Sequence, residues 1–356
     1  MALRHGRPAI ARQGGRPHVK WLVLAAAFAI GSVADAAMTR QVLLMGTRAT
    51  LTTWDADSAR ADGRLERLLE HLEDTENRLS TWRPDSEISR MNASAGHGAF
   101  RLSSRTCALF QELDRWVRET DGAFDPAIGP LIEAWDIHGE GRIPTPAELQ
   151  QARAQTGWTH LTFDAARCTV TLPAGAAVDV GAFGKGEGID VARAAEGGDA
   201  PWLVDLGGQI GVAGSPPESG GWSVAIARPD DRSTALLTVR LPGGSLSTSG
   251  GSEHDRHVGG RRVGHILDPR TGRPAAFAGS VSVWHDSGLA ADVLSTALYV
   301  MGPKRGLAWA EAHGVAALFA IPRGGGSIVR RATAAFRACC LTSREADRYS
   351  SRSPSH

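Results

Sequence analysis

Between positions 161 and 284 the chain runs through six short β-type segments with no regular succession of helices between them, and this most restricts what it can fold into. The segments are Leu161–Asp164, Thr169–Leu172, Trp202–Asp205, Trp222–Ala227, Ala235–Leu241 and Ser280–Trp284. A doubly wound parallel sheet needs helices alternating with its strands, so that class is disfavoured. The expected class is α+β, a mainly antiparallel sheet with helices packed against it. Gln41–Trp54 also alternates and reads as a strand with an irregularity at Met45-Gly46-Thr47. Leu65, Leu68, Leu69, Leu72 and Leu79 repeat at helical spacing. A second helix is expected over Ser104–Glu119, with Cys107, Phe110, Leu113 and Val117 on its apolar side. Thr145-Pro146-Ala147-Glu148 is a capping box with Pro at the first helical position, so a third helix starts there. Ser80–Asn92 reads as a turn-rich loop. Leu289–Met301 and Pro303–His313 read as helix, split by Gly302-Pro303, and Val315–Ile321 as strand.

The 356 residues are 42% hydrophobic, enough for a large core. The 42 glycines follow no repeat, which implies tight turns and close backbone approaches to a ligand. A formal charge of +1 gives no pull toward nucleic acid or acidic lipid. The charge is uneven, however. Residues 1–36 carry five basic residues and one acid, and the remainder carries a net −3. A basic stretch ending at Lys20, the apolar run Trp21–Ile30 and Ala34-Asp35-Ala36 form the order of a secretory signal. The expected organisation is a signal peptide over 1–37, one catalytic domain over 38–341 and a disordered tail over 342–356. The mature chain would then start near Ala37, in the periplasm or exported, with inner-membrane association open. Cys107, Cys168, Cys339 and Cys340 are read as buried or unpaired thiols, although an exported chain could pair Cys107 with Cys168.

Several stretches carry chemistry. In Val178–Gly188 an apolar segment ends at Asp179, and glycines 181, 184, 186 and 188 surround Lys185. Such a loop brings backbone amides and an ammonium to an anion. No Ser or Thr follows Lys185, and the dinucleotide spacing is missing, so neither phosphate fingerprint applies. Gly264–Pro274 places His265, Asp268 and Arg270 around a turn, where Asp268 and Arg270 also fit a purely structural role. Asp292 and Thr296 stand four apart on one helix face, as hard oxygen donors suited to Mg²⁺. The same spacing fits Asp292 as a helix cap and Thr296 bonding back to its own helix. Thr120–Leu131 contains an aromatic flanked by small residues, and Trp82 lies in a loop where it could cover the core or stack on a flat ring.

Taken in order, these stretches resemble the ApbE family, the FAD:protein FMN transferases, over about Gln41 to Ile321. The resemblance rests on the Met45-Gly46-Thr47 strand, the loop around Trp82, DGAFDPAIGPL, the Asp179–Gly186 loop, Thr248-Ser249-Gly250, HILDPRTGRP and Ala291-Asp292 with Ser295-Thr296. It implies an ApbE-like, T-fold-like catalytic unit. It implies that Met45, Trp82, Ala123, Phe124, Asp125, Asp179, Lys185 and the backbone at Ile266 bind FAD as substrate. Mg²⁺ would be held by the Ala182 carbonyl, Asp292 and the Thr296 hydroxyl, and His265 would activate the acceptor. The implied partners are acceptor proteins with an exposed Thr in a D-x-x-T-like motif, membrane-associated electron-transfer subunits among them. Glu187 departs from the family, where Tyr is common, and so do Glu253 and His254, where an aromatic is common. Both departures bear on the pocket rim. The rival functions are FAD pyrophosphatase, non-catalytic flavin binding and, against the missing fingerprint, a nicotinamide dehydrogenase.

Overall fold

A computed structural model describes residues 37–341 except 218 and 252–254. The expected leader up to residue 36, the tail from 342, and Glu253 and His254 lie outside the described residues. Two strands open the chain, β1 (Ala37–Leu44) and β2 (Thr47–Trp54). The expected irregularity is therefore a hairpin turn. Met45 and Gly46 both have positive φ, 48° and 70°, which is what a two-residue turn between twisted strands requires. Helix α1 (Ser58–Leu79) follows, capped by Asp57, whose side chain accepts from the amides of Ala59 and Arg60. Its buried face is Ala61, Leu65, Leu68, Leu72, Thr75 and Leu79.

Part of the expected loop after it is helical: α2 (Glu87–Ala93) is capped by Ser86. Glu87 is the reason the segment folds back. Its buried carboxylate accepts from Ser103 N, Ser103 Oγ and Thr106 Oγ1, tying α2 to the start of the next helix. A short strand β3 (Ala99–Arg101) precedes α3 (Ser104–Glu119), which has the expected bounds. Then come α4 (Gly129–Ala134), α5 (Pro146–Gln155) with its capping box intact, β4 (Thr162–Asp164), β5 (Thr169–Thr171) and α6 (Gly184–Glu196). The last of these corrects a second loop expectation in part, because Gly184–Gly188 of the glycine-rich stretch is helix.

The strands β6 (Trp202–Leu206), β7 (Gln209–Ala213), β8 (Trp222–Ala227), β9 (Ala235–Leu241) and β10 (Gly244–Gly250) follow in succession. Two small hairpins come next, β11 (Arg256–Val258) with β12 (Arg261–Val263) and β13 (Leu267–Asp268) with β14 (Arg273–Pro274). The chain closes with β15 (Ser280–His285), α7 (Gly288–Ala312), β16 (Ala316–Pro322), β17 (Ile328–Ala332) and α8 (Ala334–Cys340). Helix α7 breaks at Gly302 (φ 73°), before Pro303, where the sequence splits it.

Eight strands form one sheet in the order β1-β2-β6-β7-β10-β15-β16-β17, and every pairing in it is antiparallel. The class is α+β, as expected. One face is covered by α1 and α6 over β1, β2 and β6, and by α7 over β15 and β16. The other face is covered by the β8–β9 hairpin and α8, which bury Trp222, Val239, Leu241 and Phe336 against it. With both faces covered, the centre of the sheet is dry, and β7 is buried along its whole length.

The expectation of unpaired thiols is wrong for both cysteine pairs. Cys107 bonds to Cys168 and Cys339 to Cys340. The first bridge joins α3 to the turn before β5, positions 61 apart, and sequence spacing cannot show that these two come together. By chain entropy a loop of this size is worth on the order of 4 kcal/mol. A Cys107→Ser, Cys168→Ser double variant should therefore melt well below the parent. Reductant should lower the parent's melting temperature by more than the variant's, which keeps only the Cys339–Cys340 bridge.

Candidate functional site

The site is built where four segments meet over the middle of the sheet. The first runs into α6. Asn92 fixes it through both of its amide atoms, donating to Val178 O at 2.8 Å and accepting from Val178 N at 2.9 Å. Asp179 then sits at the cavity wall, mostly buried. Its Oδ1 accepts from Gly181 N at 2.9 Å and its Oδ2 meets His138 Nε2 at 2.8 Å. The first turn of α6 carries Lys185, whose Nζ reaches Gly181 O at 3.4 Å. Phe183, just before α6, offers no side-chain cap, and Gly184 and Lys185 of the first turn line the cavity.

The second segment is the start of α7. Ser287 caps it through Ala290 N, and Asp190 accepts from the amides of Gly288 and Leu289. Those two residues hold the cap, so the reading of Asp292 as a helix cap is corrected. The Asp292 carboxylate instead crosses to α6, where Oδ2 accepts from Gly186 N at 2.9 Å. It is 4% exposed. Burial pushes its carboxyl above the usual carboxylate range, with the charge of Lys185 and the Gly186 amide opposing that rise. The back-bonding expected of Thr296 is made by Ser295, which donates to Asp292 O at 3.0 Å. The Thr296 hydroxyl meets Ser249 Oγ on β10 at 3.3 Å, so the Thr-Ser-Gly segment is part of the same wall.

Glycines decide how closely these pieces approach, and the reading of all four as ligand-facing needs correction. Gly181 and Gly184 do line the cavity. A Cβ at Gly186 would lie 2.3 Å from Gly288 O, and one at Gly188 would lie 2.9 Å from Met45 Cε. Those two glycines let α6 press against α7 and against the β1–β2 turn.

The third segment is the β1–β2 turn with the loop after α1. Met45 N donates to Glu76 Oε1 at 3.0 Å, which fixes the turn over α1. Trp82 is 70% exposed. It is therefore not a lid on the core, and its ring lies 5.0 Å from that of His138. The fourth segment follows β12. His265 and Ile266 line the cavity there, and the Ile266 carbonyl accepts from Ala275 N. Asp268 and Arg270 pair with each other across the turn at 2.9 Å, the structural role open to them from the sequence.

The cavity is about 480 Å³, within the range of small-molecule sites. Met45, Trp82, Ala123, Phe124, Asp125, Asp179, Ala182, Lys185, His265, Ile266, Asp292 and Thr296 all line it. Phe124 and Ala123 are almost fully buried and form its floor. Asp125 has a second task, because its carboxylate accepts from Ala127 N and Trp158 N. Glu187 is not on the rim. It pairs with Arg78 of α1 at 2.6 Å. Among the described residues no cluster of three or more His, Cys, Asp or Glu is placed to hold a metal ion. The set expected for the metal has a single carboxylate, with a carbonyl and a hydroxyl.

Known proteins were compared with this arrangement. The profile of the ApbE family matches residues 45–319. The chain belongs to the ApbE family. It is 35% identical over 273 residues to the FAD:protein FMN transferase of Vibrio cholerae serotype O1, covering 75% of this chain and 80% of that one. Over 272 residues it is 31% identical to the enzyme of the same name from Escherichia coli K12, covering 73% and 77%. Among solved structures, the ApbE protein of Thermotoga maritima superposes with a TM-score of 0.78 at 26% identity, covering 85% of this chain and 99% of that one. The flavinyl transferase ApbE of Pseudomonas stutzeri, in its apo form, gives 0.74 at 31% identity, covering 86% and 97%.

Sequence reasoning missed His138 and Gln209 in this ApbE cavity. Gln209 is 1% exposed, and its Nε2 donates to Ser245 Oγ at 2.9 Å and to Gly288 O at 3.2 Å. His138 follows α4 in a glycine-flanked loop, and no periodic signal marks it. Its hydrogen bond to Asp179 raises its pKa above the ordinary 6.5, against the opposing effect of burial. A raised folded-state value means that the stabilisation is complete below 6.5 and is lost as pH rises through that higher value. Melting followed from about pH 6 to 9 should therefore show a fall that His138→Gln removes. An identical profile in the variant would mean that the pair is not formed.

Proposed function

We propose that this chain is an exported, Mg²⁺-dependent FAD:protein FMN transferase that attaches FMN through a phosphoester to a Thr of an acceptor protein and releases AMP. The observation that carries the reading is the convergence of Lys185, Asp179, His265, Asp292 and Thr296 on one cavity from three separate parts of the chain. A pyrophosphate brought between them would meet the Lys185 ammonium, which already reaches Gly181 O at 3.4 Å beside the cavity. The acceptor would be an exported or membrane-associated electron-transfer protein presenting an exposed Thr. The basic, apolar leader and the Cys107–Cys168 bridge support an oxidising compartment outside the cytoplasm.

The residues present fit Mg²⁺. Asp292 is a buried carboxylate whose charged form is disfavoured by burial, and a divalent cation would favour it. Thr296 and the Ala182 carbonyl add neutral oxygens, and Mg²⁺ keeps several waters with few protein ligands. Bound there, the ion would offset charge on the pyrophosphate oxygens. The other roles belong to side chains. His265 takes the proton of the acceptor hydroxyl. The Thr oxygen bonds to the phosphorus of the FMN half, and the bond from that phosphorus to the bridging oxygen breaks, so the electron pair leaves on the phosphate of AMP. Lys185 stabilises the charge that builds there. No protein nucleophile is needed, because phosphoryl transfer asks chiefly for positioning and electrostatics.

The reading is tested by intact mass of an acceptor co-expressed with this chain, which should gain one FMN, with AMP released in equal amount. AMP release without FMN on the protein would make the chain a pyrophosphatase. Asp292→Asn keeps an oxygen for Gly186 N and should leave melting nearly unchanged. It should cost on the order of 10²–10³ in transfer rate. Thr296→Ala should cost less, since a water can replace a neutral ligand. Equal losses in the two, or an active Asp292→Asn enzyme, would remove the metal assignment. Trp82→Ala should weaken FAD binding by roughly 1–3 kcal/mol, the worth of one aromatic stack, with no loss of stability from so exposed a side chain. Calorimetry showing unchanged affinity would place Trp82 outside the FAD site.

A further inference from the structure

We infer that Asp255 is a positioning residue for His265, holding its ring with the proton on Nδ1 so that Nε2 is left as the acceptor for the Thr proton. The inference rests on the proposed role of His265 as the base. Its evidence is a set of hydrogen bonds at the entry to the β11–β12 hairpin. Asp255 Oδ1 accepts from His265 N at 3.1 Å and meets His265 Nδ1 at 3.0 Å. One carboxylate oxygen thus grips both the backbone and the ring of the same residue. The other oxygen, Oδ2, accepts from Arg262 Nε.

The direction of the ring bond follows from which group can donate. An ionised carboxylate only accepts, so the proton in the contact belongs to Nδ1. Burial alone would raise the Asp255 carboxyl, but the hydrogen bonds of His265 and Arg262 outweigh it and hold the group below its usual value. A neutral imidazole with its proton on Nδ1 carries its lone pair on Nε2, as a general base requires. The carboxylate also stabilises the imidazolium formed once the hydroxyl proton has moved to Nε2. That proton then passes to solvent as the ring returns to neutral.

The surroundings leave this arrangement little freedom. The Asp255 side chain is 8% exposed and that of His265 is 20%. Gly251 lies beside the pair, next to the Arg262 guanidinium and Asp255 Oδ2. Among the described residues, Arg270 is engaged with Asp268 and Arg256 with Gly139 O. Tyr299 of α7 faces the same carboxylate, and its hydroxyl is pushed up to about 12, by burial first and then by the charge of Asp255. Asp255 itself does not line the cavity, and its effect on the reaction would pass through His265.

The test uses the full chain with FAD and Mg²⁺, comparing the parent with Asp255→Asn and His265→Ala. With a carrier protein bearing a grafted D-x-x-T segment as acceptor, Asp255→Asn should lower kcat by about tenfold to a hundredfold, a part of what a general base supplies. KM for FAD should stay the same. Nitrogen-15 spectra of the histidine-labelled chain, with His265 assigned from the His265→Ala spectrum, should show the neutral ring protonated on Nδ1 in the parent. This readout needs neither acceptor nor turnover. A neutral ring protonated on Nε2 in the parent overturns the inference. So does an inactive His265→Ala beside an Asp255→Asn with the parental rate. A fully active His265→Ala would instead overturn the assignment of the base on which the inference rests.

Discussion

The site depends on the contact between the start of α6 and the start of α7. The two helices come so close that Gly186 and Gly288 each lie against the other's carbonyl, and neither position has room for a Cβ. The Asp292 carboxylate bridges the contact through the Gly186 amide. A buried carboxylate that keeps its charge needs such donors or a cation, because desolvation otherwise neutralises it. The same bond places Asp292 beside Lys185, so structure and chemistry share one side chain.

The sheet beneath fixes the register of that contact. Gly211 on β7 lets Ile189 of α6 settle onto the strand. Gln209 on the same strand donates to Gly288 O at the start of α7. On β10, Ser247 and Ser249 meet Ser295, and Ser249 meets Thr296. Helix α7 is therefore located by polar bonds to the buried centre of the sheet, and α6 by apolar packing on β7 and by its bond to Asp292. Hydrogen bonds in a dry interior tolerate little displacement, because an unmet buried donor or acceptor costs about 1–3 kcal/mol. This is the physical source of the fixed geometry that a site working by electrostatic positioning requires.

Around that fixed centre the remaining walls are of two kinds. Phe124 and Ala123 are buried parts of the core. Trp82, by contrast, is held over the opening by a loop, with His138 beside it. Lys185, Asp292 and Thr296 thus stand on packed helices, while Asp179, His265 and the exposed Trp82 stand on the connections between elements.

Much of this was legible in the sequence wherever one local rule sufficed. The face of α1, the bounds of α3, the capping box of α5 and the break at Gly302-Pro303 follow from periodicity, caps and backbone restriction over a few residues. The ordered motifs implied cavity residues that the fold does bring together, since a site assembled from several loops leaves each loop with its own short signature. What the sequence could not settle was pairing over distance. The strand expected from Gln41 to Trp54 is a hairpin, because the positive φ at Met45 is decided by Glu76, Gly188 and the packing of α1. The glycines near Lys185 read as a ligand loop, yet two of them serve helix packing, and only the position of α7 reveals it. The Cys107–Cys168 bridge, the His138–Asp179 pair and the hold of Asp255 on His265 likewise have no local signature. In each of them the partners come from different elements or across a hairpin, and their meeting depends on how those elements pack, which spacing along the chain does not encode.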